Sequence, residues 1–170
     1  MNLINSFSLS LIEVFDNQVM AWGLLACGLA QVSKLIVELF QHRRWRPSVL
    51  LETGGMPSSH SALVTGTASG VGMELGFDHP GFALAATVAF VVMYDASGIR
   101  KSSGLTAARV NELPLKTWPT PPLKPLKESL GHTRLEVLVG SLIGPLVALP
   151  GIFFIGSPLH LAQNLGLNVG

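Results

Sequence analysis

Residues 19–40 read VMAWGLLACGLAQVSKLIVELF, an apolar run of 22 residues whose single basic side chain is Lys34. As a helix at about 1.5 Å per residue it would reach about 33 Å, enough to cross a bilayer core of about 30 Å. Three more apolar segments follow, at about 58–75, 81–97 and 137–155. The second carries Thr65, Gly66, Thr67, Ser69 and Gly70, small residues that suit close helix packing in lipid. Four such segments predict an all-α, small multi-pass membrane bundle with about four spans, in one domain over residues 1–170. A soluble bundle with buried helices is the alternative, since segments of 17 to 19 residues sit at the lower limit for a span.

Composition points the same way. Only 12% of the 170 residues are charged, against roughly a quarter in an ordinary soluble domain. Hydrophobic residues make up 48%, which excludes disorder. A lone Cys27 excludes an internal disulfide framework. A net charge of +1 gives no basis for a nucleic-acid partner. The sequence is compatible with a homo-oligomer and shows no internal repeat.

The charges are segregated. Arg43, Arg44 and Arg46 lie between the first and second segments. Arg100, Lys101, Arg109, Lys116, Lys124, Lys127 and Arg134 lie between the third and fourth. With a hairpin at residues 76–80, both basic loops fall on one side. The positive-inside rule then places them in the cytoplasm, with both termini opposite. The stretch 1–17 lacks a basic region and reads as a short interfacial helix or a loose end, not a signal peptide. The loop 98–131 holds Pro114, Pro119, Pro121, Pro122 and Pro125, so the run 113–127 cannot be one continuous helix. It reads as a solvated linker, with a lid or substrate-entry surface as the functional alternative.

Four polar features converge on the basic face: Lys34 with the arginine cluster, the run 54–60, the stretch Tyr94-Asp95 to Arg100, and His132 with Glu136. Pro57 suits the first position of a helix, which would aim the amides of Ser58, Ser59 and His60 outward at an anion. His132 and Glu136, four apart, would share a face of a helix starting near Gly131, the carboxylate fixing the imidazole tautomer. Lys34 either snorkels to the headgroups or marks a site. Tyr94 reads as an interfacial belt residue and Asp95 as a partner for Lys34 or an arginine. Cations, a helix start and two histidines suit phosphoryl transfer without metal, one imidazole attacking phosphorus and the other protonating the leaving oxygen. There is no Cys/His cluster at zinc spacing and no Asp-rich loop for magnesium. His42, His79 and His160 read as surface residues.

Residues 54–62, 94–100 and 126–140 resemble the divergent branch of the type-2 phosphatidic acid phosphatase and vanadium haloperoxidase superfamily. The likeness covers about residues 20–157. It implies a helical phosphatase with a three-part signature. Lys34 and Arg46-Pro47 resemble the first part, at a gap of eleven residues where the family usually has six, so Arg43 and Arg44 remain alternatives to Arg46. Pro57-Ser58-Ser59-His60 resembles the second, with Ser59 in place of glycine and His60 implied as general acid. His132 matches the nucleophile of the third, and Glu136 replaces the orienting aspartate. The Ser-Arg pair is absent, Leu126 standing in its place, with Lys127 or Arg100 as substitutes. The implied activity is hydrolysis of a phosphomonoester or diphosphate on a lipid through a phosphohistidine. No cofactor is implied, though vanadate would mimic phosphate. The alternatives are a non-catalytic membrane protein that retains a phosphate or anionic-lipid site, and a soluble acid phosphatase of the same superfamily.

Overall fold

The computed structural model describes residues 13–43, 45–51, 54–114 and 124–167. Arg44, residues 1–12 and the prolines at 119, 121 and 122 lie outside the described residues. Every regular element among those described is helical: α1 (Gln18–His42), a 3-10 turn (Pro47–Leu51), α2 (Ser59–Leu75), α3 (Pro80–Ser97), α4 (Ile99–Asn111), α5 (Arg134–Phe154) and α6 (Pro158–Asn164). The four apolar segments correspond to α1, α2, α3 and α5.

Local chemistry sets the helix limits. Asn17 caps α1 through its side chain, which accepts from the Met20 N–H at 2.9 Å. His79 caps α3, with Pro80 at its first turn. Thr133 and Glu136 form a reciprocal capping box at the start of α5. α2 ends at Gly76, whose φ of 101° is open to glycine and strained for other residues. Because α2 and α3 are joined by this short turn, they run antiparallel, and their far ends lie on the side of the basic loops.

α2 is the middle helix, packed on α1, α3 and α5. Small residues let it approach its neighbours. Ala26, Ala30 and Ala62 are fully buried at the α1–α2 contact. A Cβ on Gly144 would lie 2.1 Å from Thr65 Oγ1 and 2.5 Å from the Gly66 nitrogen. One on Gly151 would enter the Trp22 ring. The large apolar side chains face out instead: Leu24, Phe90, Leu142 and Leu146 are all exposed. Small residues inside and large apolar residues outside is the arrangement of helices packed within lipid. It removes the soluble bundle, and with it the soluble phosphatase.

Three helical stretches are long and apolar enough to cross a membrane: α1, α3 with α4, and α5. α2, at 17 residues, is about 26 Å long. It is the helix that the others surround, so its weak hydropathy reflects helix-facing rather than lipid-facing surface.

Three expectations need correction. The segment 98–131 does not begin as a loop, because α4 occupies residues 99–111 after a break at Gly98. Pro57 is not the first residue of α2: Ser58 is the cap and the helix starts at Ser59, so Pro57 precedes the cap. His132 does not lie on α5, which starts two residues later at Arg134. In the last two cases a hydroxyl residue near the expected start, Ser58 or Thr133, takes the capping position.

Candidate functional site

The start of α2, the end of α3, the start of α4 and the segment just before α5 meet at a cavity of about 240 Å³. Its polar lining is His60, Asp95, Arg100 and His132, and Val91, Leu130 and Gly131 complete much of the wall.

His132 is placed by backbone contacts as much as by its own side chain. Its N–H donates to the Ala96 carbonyl at 2.9 Å. The preceding Gly131 has φ 75°, and a Cβ there would sit 2.4 Å from the Lys101 nitrogen and 2.8 Å from the Ala96 carbonyl. Only glycine lets the chain pass so close to the α3–α4 corner. From the other side, a Cβ on Gly54 would touch the Gly131 carbonyl at 3.4 Å. Gly54, at the start of the 54–60 run, therefore lies against the residue before His132.

The His132 side chain is almost fully buried, and its Nδ1 lies 3.0 Å from Glu136 Oε2. The same oxygen accepts from the Thr133 N–H at 3.1 Å. Burial holds the His132 imidazole below its ordinary pKa, and the Lys34 charge adds to this. The Glu136 carboxylate and the Gly55 carbonyl oppose it. The neutral imidazole is thus favoured in the fold.

His60 stands in the first turn of α2 and is exposed to the cavity. The charges of His132, Arg100 and Lys34 act on it. Lys34 is 3% exposed, so it is a buried cation at the site and does not reach out to the headgroups. Arg100 reaches back across the Gly98 break to Asp95, its Nε 2.5 Å from Asp95 Oδ2. The partner expected for Asp95 among Lys34 and the arginines is therefore Arg100.

The other candidates fall elsewhere. Ser58 is fully buried; its N–H donates to the Glu136 carbonyl at 3.0 Å, and its hydroxyl accepts from the Ser61 hydroxyl at 2.9 Å. The first of these bonds joins α2 to α5, which approaches so closely that a Cβ on Gly140 would meet the Ser58 carbonyl at 2.2 Å. Ser59 is buried at the helix start. Arg46 pairs with Glu38 at 3.6 Å. Lys127 is exposed and does not line the cavity. Tyr94 is exposed on the far side of the α3–α4 corner, in a separate groove with Ile99, Ser102 and Leu126. His79 and His160 are exposed. No group of three or more His, Cys, Asp or Glu side chains gathers as a metal site among the described residues.

Sequence reasoning passed over Thr133, Asn111 and Gly104. The Asn111 side chain donates to the Leu126 carbonyl at 2.9 Å and to Glu128 Oε1 at 2.8 Å, and accepts from the Leu126 N–H at 2.9 Å. Gly104 lets the returning chain cross α4, since a Cβ there would lie 2.5 Å from the Glu128 carbonyl. The returning chain is thereby laced along α4 up to His132. The capping box at Thr133 and Glu136 was the one readable signal.

Fold and site together define a small helical membrane protein with a two-histidine cavity at the ends of its spans. The chain belongs to the Divergent PAP2 family, whose model matches residues 15–147. It is 37% identical over 155 residues to the uncharacterized membrane protein YuiD of Bacillus subtilis (strain 168), covering 84% of this chain and 98% of that protein. No solved structure matches.

Proposed function

We propose that this chain is a membrane phosphatase that hydrolyses a phosphate ester or anhydride on a lipid, without metal, through a phosphohistidine. The observation that supports it is the shared cavity: His60 and His132 line it together with Arg100, and His132 is held by Glu136.

With Nδ1 protonated and donating to Glu136, Nε2 of His132 carries the lone pair. That lone pair attacks phosphorus as the bond from phosphorus to the lipid oxygen breaks. His60, protonated, gives its proton to the departing oxygen. Water then attacks the phosphohistidine, losing a proton to His60, and the P–N bond breaks to release phosphate. Lys34 and Arg100 stabilise the charge on the phosphoryl oxygens, with Ser59 at the helix start, and Arg46 and Lys127 draw anions to the basic face. An anionic head at the ends of the spans lets the tail stay in lipid. Phosphatidate, phosphatidylglycerol phosphate and polyprenyl diphosphate are candidates. The basic face and its cavity lie in the cytoplasm by charge segregation.

The test is phosphate release by purified protein from these lipids in the presence of a chelator, beside His60→Ala and His132→Ala. Both variants should lose turnover, and a denaturing quench at alkaline pH, where the P–N bond survives, should trap phosphate on His132 of the wild type. Full activity in His132→Ala sinks the mechanism.

A second reading, a non-catalytic phosphate or anionic-lipid binder, is favoured by one observation: Arg100 is already engaged by Asp95. Lipid-phosphate binding that survives His132→Ala, with no turnover of any lipid, would select it.

A further inference from the structure

Among the described residues, the charged groups that line the histidine cavity or act directly on its imidazoles balance. Lys34 and Arg100 supply the cations that act on His60. Glu136 supplies one carboxylate, engaged with His132 and the Thr133 amide. Asp95 supplies the other, and it is the one carboxylate among the described residues that lines the cavity. The fixed charge is therefore zero with both imidazoles neutral. It becomes +1 when His60 is protonated to act as an acid.

Asp95 is not what orients His132, since Glu136 holds that imidazole. Its position is set by Arg100, whose Nε it accepts at 2.5 Å across the Gly98 break. That contact commits one edge of the guanidinium and leaves the terminal nitrogens for one further oxyanion. An anion entering beside Arg100 meets the Asp95 carboxylate as well. A phosphate ester carries about −1.5 to −2 charges at neutral pH, and a diphosphate roughly one more. Among the described residues that line the cavity, the added charge meets no cation beyond Arg100 and has a carboxylate to oppose it.

We propose that Asp95 is a specificity-determining residue that restricts this cavity to a single phosphate group, so that the lipid substrate is a phosphomonoester and not a diphosphate. The proposal deepens, and rests on, the phosphatase reading of the same site. Asp95 acts by repulsion of the surplus charge and by holding one edge of Arg100 away from it.

The experiment compares inorganic phosphate with methylenediphosphonate, a diphosphate that cannot be hydrolysed, as calorimetric ligands of the purified protein in detergent. Wild type should bind phosphate the more tightly. Asp95→Asn should raise diphosphonate affinity about tenfold more than phosphate affinity, a shift of about 1.4 kcal/mol. Asp95→Glu, which keeps the charge, should keep the wild-type preference. The proposal is overturned if wild type prefers the diphosphonate, if Asp95→Asn strengthens both anions alike, or if neither anion binds. Should Asp95→Asn fail to fold by gel filtration, wild-type turnover decides, and preference for a lipid diphosphate over its monophosphate overturns the proposal. Selective phosphate binding with no turnover of any lipid sinks the phosphatase reading and leaves standing only the selectivity of the cavity for a single phosphate group. Faster turnover of the diphosphate does the reverse.

Discussion

Oε2 of Glu136 lies 3.0 Å from Nδ1 of His132, and the two meet although His132 precedes the helix that carries Glu136. The carboxylate is the third residue of a capping box, and it folds back over the cap to reach both the Thr133 amide and the imidazole. One atom thus closes a helix end and orients the candidate nucleophile.

Glu136→Gln separates those two jobs. The amide oxygen can still accept from Thr133, so the helix start should lose no more than about 1 kcal/mol of stability. The charge that supports the imidazolium is gone, so turnover should fall roughly 10²- to 10⁴-fold. Thermal melts and phosphate release on the same preparation check this; a proportionate loss in both would refute the division of roles.

Acid should weaken the fold through His132. Its folded pKa is lowered by burial, against an unfolded value of about 6.5. Below that unfolded value the unfolded chain binds the proton first, so stability that is present above about pH 6.5 is lost as pH falls toward the folded pKa. Wild type should therefore lose more melting temperature between pH 7 and pH 5 than His132→Gln does. Equal slopes would contradict it. In kcat/KM, the acid limb assigned to His132 should lie below pH 6.5, because protonation removes the attacking lone pair.

The tight crossing of α2 and α5 predicts a contrast between two glycines of long helices. Gly144→Ala forces a Cβ onto Thr65 Oγ1 and the Gly66 backbone, and should cost about 1–3 kcal/mol. Gly28→Ala in α1 meets nothing within 4 Å and should be neutral or stabilising by up to about 1 kcal/mol through helix propensity. Detergent melts of the pair read this directly, and similar costs at both would argue against the close crossing.

Asn111→Ala removes three hydrogen bonds that lace the returning chain to α4. Limited proteolysis between residues 124 and 130 should accelerate while α1, α2 and α5 stay protected. Turnover should drop by about tenfold, because Gly131 and His132 lose the support that sets their position. Unchanged cleavage would show that the segment is held by something else.

The sidedness has its own test. A cysteine at Lys127 should react with an impermeant maleimide in inverted vesicles and not in sealed right-side-out ones, with Cys27 replaced. The opposite pattern would put the basic face outside.

Much of the bundle was legible in the chain. Hydropathy marked α1, α2, α3 and α5 within a few residues, because a span must be apolar over a length the bilayer dictates. The small residues of 65–70 marked α2 for close helix packing, since only small side chains allow backbones to approach that closely, but its place in the middle of the bundle came from the structure. His60, His132 and Glu136 were legible as chemistry-bearing types on one face. α4 was not, because prolines later in the segment 98–131 dominated its reading and a short amphipathic helix leaves little apolar signal.

The sequence by itself determined the number of apolar segments, the side on which basic charge collects, and which imidazoles share that side. Those properties are local or follow from counting crossings. Only the tertiary structure decided that Arg100 turns back to Asp95, that Ser58 serves the α2–α5 contact, and that Arg46, Lys127 and Tyr94 stand outside the cavity. Each depends on a helix break, a cap or a glycine crossing that brings distant backbone within about 3 Å, a distance that residue spacing does not encode.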